Sequence, residues 1–230
     1  MDRPRIALLN ASFAASTTRN FRRELDGSIA EFDVTQDQLP GDVSFDGMIV
    51  TGSRASVYWD EPWIDRTKET VEAFIEAGVP TLGICWGHQL LADVLGGAVV
   101  DMGTYEIGYR EIVRRGEDDL LAGLDERFVA FTTHSDEVVE LPPGTRLIAD
   151  NDVSIQGFTG DGVWGVQFHP EYDMETAREV TLEKDDLDEA RKQRALESIT
   201  EENYRKAGQA KQVFDNFLQL VQRRDTPLHR

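Results

Sequence analysis

Residues 79–89 read Val79-Pro80-Thr81-Leu82-Gly83-Ile84-Cys85-Trp86-Gly87-His88-Gln89, and they hold the only cysteine of the chain. A short apolar run, Thr81 to Cys85, predicts a buried strand. His88 to Gly97 follows as a short helix stopped by Gly96 and Gly97. Between them stands Gly83-Ile84-Cys85-Trp86-Gly87. A strand, then Gly-X-Cys-X-Gly, then a helix is the pattern of a nucleophile elbow. The reason is steric and electrical. A nucleophile on a tight, strained turn needs small neighbours two residues away. The turn leaves the thiol near a helix N-terminus, where a thiolate is favoured and backbone N–H groups can meet an oxyanion. A lone cysteine is more often a buried core residue; the paired glycines favour the nucleophile.

Working outward, short apolar runs alternate with helical stretches, which predicts an α/β fold. Residues 6–11 read as a first buried strand, 17–26 as a helix, 31–34 as an edge strand, and 45–53 as a strand ending in a Gly-Ser turn. Residues 60–78 form a punctuated helix. Asp60 or Glu61 is positioned to cap it, Pro62 opens it and Gly78 with Pro80 ends it, while Ile64, Val71, Phe74 and Ile75 share its core face. From 98 to 168 the chain reads as short strands: 108–115, 127–136, 137–141, 145–150, 153–158 and 163–169. Turns at Pro142-Pro143-Gly144 and Gly160-Asp161-Gly162 lie among them. Residues 174–223 are helical and charged. Within them 181–197 reads as a solvated helix or flap. One good helix follows Thr200, its cap, with Ile199 and Tyr204 as a hydrophobic staple. Its stripe of Tyr204, Ala207, Phe214, Phe217, Leu218 and Val221 is expected to dock on the core.

At about 150 residues per domain, 230 residues allow one large domain or two small ones. No repeat or linker marks a boundary, so a single domain over 1–230 is expected. Forty-three acids against 24 bases give a net charge of −19. That disfavours nucleic acid and anionic membranes as partners. No run approaches the roughly 18 apolar residues of a membrane span, and one cysteine excludes an internal disulfide. A cytoplasmic protein is expected. Arginine outnumbers lysine nineteen to five. An acidic, lysine-poor surface suits a salt-loading halophile, where salt screens self-repulsion; an ordinary acidic enzyme is the alternative.

A thiol nucleophile needs a base, and the base needs an orienting group. The chain has four histidines. His229 lies at the extreme terminus and is set aside. His88, on the elbow helix, would position the turn or line the pocket, and His134 sits in Phe131-Thr132-Thr133-His134-Ser135-Asp136. His169 ends an apolar strand, ahead of Pro170 and Glu171. Residues i and i+2 of extended chain project to one side, and Pro170 holds His169 near the β region. His169 and Glu171 therefore read as a base and its orienter. Four histidines and one cysteine form no metal site of recognisable spacing, and no cofactor is called for.

Gly83 to Gln89, Thr133 to Gly144 and Gly165 to Glu171, in that order, resemble the signatures of the class I (triad) glutamine amidotransferases, over roughly residues 5–172. The resemblance implies a flavodoxin-like, three-layer fold on a mixed central sheet, here with a helical C-terminal extension over 174–223. It implies a cysteine glutaminase that hydrolyses L-glutamine through a γ-glutamyl thioester and passes ammonia to a synthetase. By that likeness Cys85 is the nucleophile, His169 the general base and acid, and Glu171 its orienter. The oxyanion donors fall on the backbone of Gly52 or Ser53 and of Trp86. Gln89, His134, Ser135 and Asp136 match positions that grip glutamine. The chain departs from the family in Ser53-Arg54, where a second glycine and proline are usual, and in the length of its tail. It carries neither a G-x-x-x-x-G-K-[ST] loop nor an Ser-Gly-Gly-x-Asp-Ser pyrophosphatase loop, so the ammonia would be used by a separate synthetase. Two further readings stand beside this one: a stand-alone hydrolase of γ-glutamyl amides or peptides, and an idle binding or regulatory module.

Overall fold

The computed structural model describes residues 3–224, other than 15 and 186. His229 lies outside the described residues. The described strands form one nine-stranded sheet in the order β2-β1-β3-β4-β9-β8-β7-β5-β6. Its parallel half is β1 (Arg5–Asn10), β2 (Ser28–Asp33), β3 (Gly47–Val50), β4 (Thr81–Ile84) and β9 (Val163–Val166). Its antiparallel half adds β5 (Ala98–Arg114), β6 (Arg127–Glu140), β7 (Arg146–Asp150) and β8 (Ile155–Gly160). The sheet is therefore mixed, as the family likeness implied.

The two-residue period of β1 sorts its side chains between two cores. Ile6 and Leu8 pack with Phe21 of α1 (Ser16–Glu24) and with Phe214, Phe217 and Val221 of α7 (Gln212–Arg224). Ala7 and Leu9 pack with Ile64, Val71 and Phe74 of α2 (Pro62–Glu76) and with Leu90 and Leu91 of α3 (Trp86–Val94). Helices thus cover both faces, which is why β3 and the middle of β1 are apolar runs, while the edge strand β2 carries Glu31 and Asp33 and is only part-buried. Burying a Phe, Leu or Val side chain contributes about 1.5–3 kcal/mol each, and α7, with five buried apolar residues, is held by its stripe as expected.

Several expectations need correction. Residues 98–107 were not expected to be strand but belong to β5. Exposed residues lie on both its faces there, and the pairing with β6 shifts register between Asp101 and Glu106, so no clean alternation marks it. Residues 127–136 and 137–141 are one strand, β6, rather than two. Glu61 is the N-cap of α2 but makes no side-chain cap bond; Pro62 and the closing turn, with Gly78 at φ 68°, carry the punctuation. The segment 181–197 does hold a largely solvated helix, as one of its two readings had it, but it is anchored rather than a loose flap. α4 (Met174–Leu182) ends in a turn, α5 (Glu189–Ser198) follows, and Leu187, Ala195 and Ile199 are buried against Ile107 and Phe131. Beyond Thr200 the described residues hold two α-helices instead of one. Thr200 caps α6 (Glu201–Ala207) through the Asn203 N–H, and a 3₁₀ turn at Gly208–Lys211 separates α6 from α7. Gly208 is the weakest helix former at that joint.

Candidate active site

In open α/β sheets, sites lie outside the carboxyl ends of the parallel strands. Here β3 runs into Thr51-Gly52-Ser53, β4 into Cys85 and β9 towards His169. Three consecutive neighbours of the sheet thus deliver their chain ends to one place.

Cys85 adopts φ 53°, ψ −105°, a conformation that a side-chain-bearing residue takes only under strain. The backbone around it enforces the turn. The Cys85 N–H donates to Val166 O at 2.8 Å, and Cys85 O accepts from the Gln89 N–H at 3.1 Å. A Cβ at Gly83 would stand 2.3 Å from Gly87 O, and one at Gly87 would stand 2.3 Å from Val50 O. Only glycine fits at either position, so strand, turn and helix close on one another. The Trp86 N–H precedes the first helical hydrogen bond of α3 and belongs to its electropositive N-terminus.

His169 lies beyond β9, held by its N–H to Phe131 O at 2.9 Å in a single bridge to β6. Its Nδ1 meets Glu171 Oε1 at 2.8 Å. Cys85, His169 and Glu171 are 4%, 5% and 1% exposed. The other ring nitrogen, Nε2, has no hydrogen-bond partner, and it faces the cavity that Cys85 also lines. Burial works against the His169 cation, but the negative charge of Glu171, with the contact to Cys85, more than offsets it. The result is a pKa raised to about 10. A Cβ at Gly52 would approach His169 Cε1 to 2.9 Å and Cys85 Sγ to 3.8 Å. The Gly52 backbone is therefore the wall against which both groups rest.

Two small cavities meet at Cys85. One, of about 40 Å³, is lined by Gly52, Thr133, His169, Glu171 and Tyr172. The other, of about 30 Å³, is lined by Ser53, Arg54, Gln89, His134, Ser135, Asp136 and Lys184. The second shares Arg54, Tyr105, Ser135 and Asp136 with an open groove of about 790 Å³. Of the residues singled out in the sequence, Gly52, Ser53, Gln89, His134, Ser135 and Asp136 all reach these cavities. Trp86 does not: its side chain is buried in the core on the α2 and α3 face, which leaves its backbone N–H for the site. His88 neither lines the pocket nor touches the thiol. It packs against Phe158 of β8 and Gly165 of β9, between α3 and the sheet, and burial drives its pKa down to about 3.

Other contributors were not visible in the sequence. Tyr172 stacks on the His169 ring at 4.1 Å. Arg23 of α1 donates to Glu171 O at 2.7 Å and to the Asp173 carboxylate at 2.5 Å. Glu106 is buried under His134, accepting from its Nε2 at 2.8 Å, from Asn151 at 2.5 Å and from Gln156 at 3.0 Å. Burial opposes the Glu106 charge, but His134, the Asn151 amide and the nearby Arg110 cation outweigh it and the carboxyl pKa falls below its ordinary value. His134 Nδ1 meets Asp136 O at 2.9 Å, and the same carbonyl accepts from Gln89 Nε2 at 2.8 Å. A chain of polar contacts thus runs from Glu106 through His134 to Gln89. Only Tyr172 carried a sequence signal, an aromatic directly after Glu171. Glu106 lay in the stretch whose strand was not read.

The family model Glutamine amidotransferase class-I matches residues 10–187. The GMP synthase [glutamine-hydrolyzing] of Azoarcus sp. (strain BH72) is 38% identical over 136 residues, 54% of this chain and 25% of that protein. That of Aromatoleum aromaticum is 36% identical over 154 residues, 62% of this chain and 28% of that protein. The chain therefore spans about a quarter of the length of these curated relatives. Among solved structures, a glutamine amidotransferase from Thermotoga maritima superposes with a TM-score of 0.78 at 21% identity. It covers 95% of this chain and 99% of its own. A glutamine amidotransferase from Methylobacillus flagellatus gives 0.78 at 20% identity, with 95% of each chain covered. At that identity, the likeness is one of fold.

Proposed function

Because this chain belongs to the class I glutamine amidotransferase family, we propose that it hydrolyses L-glutamine to glutamate and ammonia, and that the ammonia passes to a separate synthetase. The observation that carries the reading is the meeting of a strained Cys85 with the His169–Glu171 pair in one buried cavity.

Cys85 Sγ, as thiolate, attacks the γ-amide carbon of glutamine, and the C–S bond forms as the carbonyl electrons move to oxygen. Backbone N–H groups of Ser53 or Gly52 and of Trp86 hold that oxyanion; each such donor is worth roughly 10²–10³ in rate. The imidazolium of His169 donates its Nε2 proton to the nitrogen, the C–N bond breaks and ammonia leaves. Neutral His169 then takes a proton from water, whose oxygen attacks the thioester carbon and releases glutamate and the thiolate. Glu171 holds Nδ1 and stabilises the cation at both stages. Gln89, Ser135 and Asp136 grip the amino-acid end, with His134 fixing the Asp136 carbonyl from beneath. The steps use only this chain's groups and water.

The synthetase is proposed from the relatives, GMP synthases of which this chain spans about a quarter. The test is ammonia release from L-glutamine in molar KCl beside a Cys85→Ala control. The reading expects release that the control abolishes; release that survives the substitution contradicts it.

A further inference from the structure

The reaction needs the His169 ring to present Nε2 to Cys85 in a fixed plane. Glu171 Oε1 meets its Nδ1 at 2.8 Å. The torsion that turns an imidazole about its own bond is broad, and a bond at one nitrogen does not by itself set the plane. The face of the ring supplies what is missing. Tyr172 lies on it, with centroids 4.1 Å apart and planes 22° from parallel. Tyr172 is itself braced. Arg23 donates to Glu171 O at 2.7 Å and to Asp173 Oδ2 at 2.5 Å, so the residues on both sides of Tyr172 are pinned to α1. Asp173 also caps α4 through the Thr176 N–H. Against the Tyr172 ring stands Phe131 of β6, 5.8 Å away and tilted by 36°, and buried with Tyr109 edge-on to it at 5.3 Å. Phe131 O also accepts the His169 N–H at 2.9 Å. One residue thus supports both the backbone of His169 and the ring that covers it. Ala177, Leu187, Ala195 and Ile199 of the C-terminal extension close the same cluster.

We propose that Tyr172 is a positioning residue for the reaction: its ring, held by the Arg23-braced turn and by Phe131, sets the plane in which His169 presents Nε2 to Cys85. The inference rests on the glutaminase reading above. A stacked ring does two things that the hydrogen bond to Glu171 does not. It blocks rotation of the imidazole out of its plane by close packing, while the Gly52 backbone limits motion at the Cε1 end. It also offers an electron-rich face, which favours the cation that His169 becomes each time it takes a proton. Both effects belong to the ring of Tyr172 and not to its hydroxyl. Tyr172 lines the cavity on the His169 side and is not among the residues lining the second cavity, with Gln89, Ser135 and Asp136. Its loss therefore acts on the chemical step rather than on the grip of the amino acid.

The experiment compares the full chain with Tyr172→Phe, which keeps the ring, and with Tyr172→Leu and Tyr172→Met, which keep apolar bulk without it. Two rates are read, with thermal melting alongside. One is steady-state ammonia release from L-glutamine. The other is alkylation of the chain's one cysteine by chloroacetamide at neutral pH, which needs no glutamine. In the ring-free variants kcat is expected to fall about 10- to 100-fold, the scale of misplacing a reacting group. The KM stays within about twofold. Alkylation slows as well, because the thiolate loses its aligned imidazolium. Tyr172→Phe keeps the stack and holds both rates within about twofold of the wild type. A folded ring-free variant with wild-type kcat overturns the proposal. So does Tyr172→Phe as impaired as Tyr172→Leu, which assigns the effect to the hydroxyl. Ring-free variants that fail to fold beside a folded Tyr172→Phe assign the ring to stability alone, and overturn it too. A wild type that releases no ammonia, but whose alkylation depends on the ring, sinks the glutaminase reading and leaves the positioning of His169 standing. No ammonia and ring-independent alkylation sink both.

Discussion

Replacing Gly52 by alanine adds one methyl group at the point where the thiol and the imidazole rest on the β3 loop. Gly52 is not among the residues in the left-handed region, so alanine meets no backbone penalty and the effect is steric. The new Cβ would lie 2.9 Å from His169 Cε1, about half an ångström inside ordinary contact for packed groups. His169 cannot yield easily. Tyr172 is stacked on its ring at 4.1 Å and Glu171 holds Nδ1 at 2.8 Å. Either the imidazole tilts off its partner or the β3 loop retreats and takes its backbone N–H groups with it. Overpacking of this kind costs about 1–3 kcal/mol of stability. Misplacement of a reacting group by an ångström costs about 10² in rate, so a kcat loss of about 10- to 100-fold is expected. Steady-state ammonia release from L-glutamine, with thermal melting alongside, reads both. A Gly52→Ala protein with undiminished kcat would refute the idea that this contact sets the reacting geometry.

Gly87→Ala is a harsher change, since its Cβ would strike Val50 O at 2.3 Å; the melting temperature should fall by many degrees or the chain should fail to fold, and a normal melting curve would contradict the packing of the elbow. Glu171→Gln removes the main charge that raises His169, so the basic limb of kcat/KM should move to lower pH, and an unmoved limb would exclude Glu171 as the source. The same raised pKa makes a stability prediction. The His169 contribution is complete below its unfolded value of 6.5 and is lost as pH rises through about 10, which melting across that window in wild type and Glu171→Gln would measure. Glu106→Gln breaks the charged support of His134, so the KM for glutamine should rise and stability should fall; wild-type values for both would show the Glu106–His134–Gln89 chain to be idle. With a net charge of −19, melting temperature should climb with KCl concentration as repulsion is screened, and a flat series would count against a high-salt protein.

What the sequence revealed and what it hid follow from how local each signal is. The elbow was legible because its causes lie within five residues: Gly83 and Gly87 are small because backbone passes within contact of both. The His169–Glu171 contact was expected from two residues of extended chain; the contact is made at 2.8 Å, but across a turn at Pro170 and Glu171 rather than along a strand. Apolar runs and the α7 stripe announced the two-faced core. By contrast, β5 was hidden because its first half is exposed on both sides and bulged, so no period of two appears. Glu106 went with it, along with the support it gives His134 across the β5–β6 pair. The α4–α5 turn looked like charged surface because its anchors are few: Leu187, Ala195 and Ile199 carry the packing amid a run of acids and bases. Arg54, Glu183 and Lys184 meet only through the fold, from positions about 130 residues apart.

The central claim is that Cys85 carries the γ-glutamyl group. The most direct measurement is covalent labelling with a diazoketone analogue of glutamine, followed by peptide mapping, with and without excess L-glutamine. One adduct on the peptide containing Cys85, suppressed by glutamine and absent in Cys85→Ala, is the predicted result. An adduct elsewhere, or labelling that glutamine does not suppress, would contradict the account.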